Sequence, residues 1–179
     1  MFLRTKAYLL LLLFATALHA DAQNIIIRKD NFNRPLTWDD FDGKVDEHNP
    51  FMAQTNYEMK YSMTALQSNG DTVICNFRVT LLLANDSWVK KDKKTDRLLQ
   101  HEQRHFDIGV LFAREMDRTF RNTTFFIKDY KMKINAIYND IMQRCRNMQQ
   151  QYDKETDHSL NVEEQQKWDE RIQRDLDKG

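Results

Sequence analysis

Cysteine is nearly absent from this chain: among 179 residues only Cys75 and Cys145 occur. They lie far apart and neither has a partner at metal-ligand spacing, which excludes a thiolate-built metal site. Charge of one sign is missing too. Lys and Arg number 27 and so do Asp and Glu, leaving a formal net charge of zero and no electrostatic footprint for nucleic acid. The one basic cluster, "KKDKK" at 90–94, is interrupted by Asp92 and reads as a solvated loop. There is no long hydrophobic run. The most apolar stretch, residues 7–18, is shorter than the ~18–20 residues of a spanning helix. No repeat or low-complexity segment divides the chain.

That short apolar run has flanks with a meaning of their own. Arg4 and Lys6 precede it, and Ala20 and Ala22 follow as an A-x-A-like cleavage site. Residues 1–22 are therefore expected to be a signal peptide, with export to the periplasm or beyond and no membrane span after cleavage. No cysteine stands at the cleavage region, so a lipid anchor is not expected. The remaining residues 23–179 suit one domain with a real core. Export permits a disulfide, and a Cys75–Cys145 bridge is expected because both cysteines fall on the apolar side of their elements; it would stabilise by ~4 kcal/mol in the chain-entropy model.

The polar and apolar patterns predict an α+β fold, an antiparallel sheet followed by about three helices. "NIIIRK" (24–29) reads as a short strand, and Leu36, Trp38 and Phe41 as anchors of the irregular segment after it. "TNYEMKYSM" (55–63) and "TVICNFRVTLLL" (72–83) alternate with period two around "SNGD" (68–71), a long hairpin with Asn69-Gly70 at its turn. From Asp96 the period becomes helical to about Phe120, with Thr95 as N-cap. A second helix is predicted over 127–150, and "YDKETDHSLN" (152–161) breaks the pattern. Asn161 with Glu164 then opens a last helix carrying Trp168 and Ile172.

The first of these helices contains His101-Glu102-Gln103-Arg104-His105. Residues four apart share a helix face about one turn apart, so both imidazoles can reach one ion. Glu102 sits about 100° round from His101, outside the ligand row but within reach of a water on the metal. This is the geometry of a zincin, two ligands and a general base on one helix. A catalytic site needs a third protein ligand. The extension H-E-x-x-H-x-x-G-x-x-H is absent, since Gly109 falls one residue too late. Glu115 is ~15 Å beyond His105 on a continuous helix and is excluded. His158 is the favoured third ligand, Asp153 and Glu155 are the carboxylate alternatives, and His48 is a weaker candidate; His19 leaves with the leader.

The combination of "LTWDDFDGK", "LLQHEQRHFDIG", "YDKETDHSLN" and "WDERI" resembles a bacterial family catalogued as a domain of unknown function, whose members are described as predicted secreted zinc-dependent proteases. The resemblance spans essentially the whole mature chain. His101, Glu102 and His105 match its first specific block, and Tyr152, Asp153, Thr156 and His158 its second; Ser159 stands where a glycine is expected after the histidine. The reading is a zinc peptidase acting on peptide or protein substrates, with Zn²⁺ on His101, His105 and His158 and Glu102 as general base. Tyr152 is the candidate donor to the oxyanion. The competing readings are a non-catalytic zinc-binding envelope protein or peptide-binding module, and an interaction protein without metal.

Overall fold

The computed structural model describes residues 25–27 and 34–178. The expected leader, its cleavage region, His19 and the flanks of the 24–29 segment lie outside the described residues. The chain is α+β. Strand β1 (Ile25–Ile27) precedes β2 (Ala53–Gln54), β3 (Tyr57–Asn69), β4 (Thr72–Leu83) and β5 (Trp88–Val89). Helix α1 (Asp96–Asn122), the short β6 (Phe125–Phe126), α2 (Tyr130–Thr156) and α3 (Val162–Asp177) complete it. Among the described residues no helix is long and apolar enough to cross a membrane.

The predicted hairpin is present as β3 and β4, antiparallel with Tyr57 opposite Leu83 and Asn69 opposite Thr72. Its turn is one residue later than the Asn-Gly pair suggested. Gly70 takes the first central position with φ +58°, the conformation a two-residue turn demands there and glycine adopts freely. β1 adds to β4 in parallel and β6 in antiparallel fashion, at opposite ends of that strand. The inner face of β4 carries Val73, Phe77, Val79 and Leu81, all buried as its alternation predicts. On β3 the alternation holds for Met59 but not for Met63, which is 41% exposed. A bulge between Met63 and Ala65 and the end of the helical cover leave the far half of β3 outside the core, while Val73 at the same end of β4 stays buried.

Helix α1 lies across that inner face. Ile108, Ala113 and Met116 are fully buried beneath Val79 and Leu81, each large side chain contributing about 1.5–3 kcal/mol. At Gly109 helix and sheet approach closely: a Cβ there would stand 3.1 Å from the Tyr57 ring and 3.3 Å from Leu81. The glycine whose spacing breaks the extended histidine motif is thus a packing residue. Leu36 and Phe41 enter the core as expected, and Trp38 packs against it. Thr95 caps α1 by accepting from the Leu98 N–H, and Asn161 caps α3 by accepting from the Glu164 N–H.

Two expectations fail. Cys75 and Cys145 are free thiols. Cys75 sits opposite Leu66 in the outer half of the hairpin, whereas Cys145 lies 3.1 Å from the Tyr57 hydroxyl, at the other end of β3. Tyr57 pairs with Leu83, eight residues along β4 from Cys75, roughly 27 Å at strand rise, so no bridge can form. Helix α2, moreover, starts later than predicted and runs on through Thr156, whose hydroxyl donates to the Tyr152 carbonyl one turn back. The break comes only at Asp157, His158 and Ser159, with φ of 46°, 50° and 78°.

Left-handed backbone costs a non-glycine residue about 1–2 kcal/mol. Ser159 is 2% exposed with the largest of the three angles. Ser159→Gly is therefore expected to raise stability by about 0.5–1 kcal/mol, after the entropy glycine adds to the unfolded chain. Thermal unfolding measures it, and a lower midpoint in the variant would contradict the strain assigned to this turn.

Candidate metal centre

The longer α2 decides which residues meet. His101 and His105 stand on one face of α1, and Gln149 and Asp153, also four apart, stand on the face of α2 opposite them. The His101 and His105 Nε2 atoms are 3.1 Å apart. Asp153 Oδ1 lies 2.9 Å from the His105 Nε2 and 3.3 Å from that of His101. His101, His105 and Asp153 form a cluster able to hold a metal ion, their ligand atoms all within 4.8 Å of one another. Ligands at 2.0–2.1 Å in tetrahedral array stand roughly 3.3 Å apart, so the spacing fits a small divalent ion such as zinc.

His158, favoured as third ligand from the sequence, is placed one step outside. Its Nδ1 is 3.4 Å from Asp153 Oδ1, its side chain is 44% exposed, and its ring lies against Phe51 at 4.5 Å. The reason is the helix extension: Asp153 rides on α2 facing α1, while His158 falls in the left-handed turn beyond the helix end. Glu155 is exposed and accepts from the Trp168 indole, and His48 is exposed in the loop before β2; neither joins the cluster. Glu115 pairs with Arg144, away from the site.

Tyr152 also differs from expectation. It is fully buried, stacked on the His101 ring at 4.7 Å and edge-on to His105 at 4.9 Å. Its hydroxyl is engaged with Gln165 and the His101 carbonyl. It orients the histidines from behind and has no donor turned toward a substrate.

Burial works against charge on Asp153, yet hydrogen bonds from His101 and His105 hold its carboxyl well below the usual range. Burial likewise pushes the His105 imidazole down, and the hydrogen bond to Asp153 with the Glu102 carboxylate nearby outweighs it, so the net shift is upward.

Glu102 is 3% exposed and outside the ligand set. Its Oε2 accepts from the Thr55 hydroxyl at 2.6 Å, leaving Oε1 with no protein partner among the described residues. His101, Glu102, His105 and Asp153 line one groove of about 420 Å³ together with residues 50–55. These include β2, which among the described residues pairs only with β5. The Lys90 N–H donates to the Met52 carbonyl, and in an antiparallel ladder this makes Ala53–Val89 the pair without mutual bonds. The N–H and C=O of Ala53, and of Thr55 two residues on, consequently face away from β5, and no strand among the described residues covers them. Phe51, Met52, Leu98 and Leu160 supply the groove's apolar surface.

The chain belongs to the family described as "Bacterial protein of unknown function (DUF922)", whose model matches residues 34–159. The matched span holds the whole cluster, Glu102 and β2, and ends before α3. That description names no activity. No curated protein and no solved structure matches the chain.

Proposed function

We propose that this protein is an exported zinc-dependent peptidase acting on extended peptide segments, with residues 1–22 as its leader. The observation that carries the reading is the placement of the edge strand β2 and a His-His-Asp cluster on the same groove. Extended peptides bind by adding to a free edge, through main-chain hydrogen bonds that any sequence can make. Ala53 and Thr55 provide those groups, and the apolar side chains of Phe51, Met52, Leu98 and Leu160 accept substrate side chains.

Zinc held by His101, His105 and Asp153 would supply Lewis acidity and a water of lowered pKa. Glu102 is next to the first ligand and lines the groove, so it takes the proton of the attacking water at Oε1 and returns it to the leaving amine. Thr55 both holds the Glu102 carboxylate and lends its backbone to the edge, which ties the base to the bound peptide.

A second reading, a zinc-binding envelope protein that holds peptides without cleaving them, is favoured by one specific feature: Tyr152 offers no donor for an oxyanion. Metal analysis of the purified protein, followed by digestion of a chemically unfolded protein with and without chelator, separates the two. One equivalent of zinc with chelator-sensitive cleavage is the expected result. One equivalent without cleavage leaves the second reading, and no zinc after reconstitution overturns both.

A further inference from the structure

Each histidine of the cluster turns its other ring nitrogen to a glutamine. His105 Nδ1 is 2.5 Å from Gln149 Oε1, and His101 Nδ1 is 3.0 Å from Gln165 Oε1. An amide side chain can present either its oxygen or its nitrogen, so alone it says nothing about the proton. Here the far side of each amide removes the ambiguity. Gln149 Nε2 donates to the His105 backbone carbonyl at 2.9 Å, and Gln165 Nε2 donates to Asp169 Oδ1 at 2.9 Å. A carbonyl and a carboxylate only accept, so both amides are fixed with nitrogen outward and oxygen toward the imidazole. An oxygen there requires Nδ1–H on both rings.

The outer anchors are themselves held. Asp169 accepts from Arg104 Nε at 3.0 Å and from Gln100, and Gln149 Nε2 also reaches the Tyr57 hydroxyl at 2.7 Å. Gln165 and Asp169 belong to α3, beyond the matched family segment and within or beside the "WDERI" stretch that the site's ligands leave unexplained.

We infer that Gln149 and Gln165, with Asp169 behind the latter, are positioning residues that lock His101 and His105 as Nδ1–H tautomers and so present both Nε2 lone pairs to one ion. The inference rests on the metal-binding reading above. It adds that the ligands are prepared by neutral amides rather than by the carboxylates that commonly stand behind metal-bound histidines.

The test uses the full chain and the variants Gln149→Met, Gln165→Met and Gln149→Glu; methionine keeps the length and removes the acceptor. Nitrogen-15-edited NMR of the metal-free protein should show Nδ1–H resonances for both histidines, with that of His105 lost in Gln149→Met and that of His101 lost in Gln165→Met. Zinc affinity by chelator competition should fall about 10–100-fold in each methionine variant and recover in part in Gln149→Glu, which still accepts from Nδ1–H but loses the donation to the His105 carbonyl. Bare Nδ1 atoms in the parent, or methionine variants that bind zinc as tightly as the parent, would overturn the inference. If Gln165→Met fails to fold, the Gln149 pair carries the test. Nδ1–H resonances in a parent that binds no zinc would end the metal reading while leaving the tautomer assignment standing.

Discussion

Glu102→Gln leaves zinc content at the parent level and lowers peptide cleavage by about 10²–10⁴-fold, the range a positioned general base supplies. The variant is close to the ideal probe of this site. Glu102 contributes no atom to the His101–His105–Asp153 cluster, so the amide does not disturb metal binding. It is also isosteric, and its oxygen can keep the 2.6 Å contact to the Thr55 hydroxyl that holds the side chain in place. What disappears is the capacity of Oε1 to take a proton. Zinc stoichiometry, with kcat/KM on an internally quenched peptide, measures both halves. An unchanged kcat/KM would remove Glu102 from the mechanism, whereas loss of zinc would show the carboxylate to be a ligand.

Asp153→Ala loses zinc affinity by more than about 100-fold, and His158→Ala by no more than about 10-fold. The first removes one of three ligands whose atoms stand at coordination spacing. The second removes a side chain that meets the cluster only at the Asp153 carboxylate, 3.4 Å away, and leaves the ligands in place. Chelator competition on the two variants ranks them directly. The opposite order would return His158 to the ligand set and require the turn at 157–159 to fold inward over the groove.

That order is also the point at which the sequence stopped being legible. The motif helix, the histidine pair and Glu102 could be read because they are local: four residues of spacing on a strongly periodic helix with a capping threonine fix their mutual placement. The hairpin was equally plain from its alternation and turn. The third ligand depended on where α2 ends, and there the sequence misleads. Asp153 and Thr156 have modest helix propensity, yet burial of Tyr152 and Thr156 carries the helix through both. Extending the α2 periodicity by one turn from Gln149 would have placed Asp153 on the face toward α1. Gln149 and Gln165 gave no such signal, since glutamine is ordinary on a solvated helix and its role exists only across three helices. The disulfide failed for the same reason: both cysteines lie on apolar faces, and only the register of β3 on β4 shows that those faces are at opposite ends.

The backing of the two histidines has a consequence for the order in which the protein is assembled. Tyr152 packs on both rings, and their outer nitrogens are engaged by glutamines that are anchored in turn by a carboxylate and a backbone carbonyl. None of these contacts involves an ion. Zinc fingers behave in the opposite way, staying unfolded until metal arrives because the ligands are the core. In this chain the sheet and helices make the core and the cradle is finished by protein atoms alone. The core does not depend on the cluster, so an ion taken up there would be loaded after folding rather than drive it.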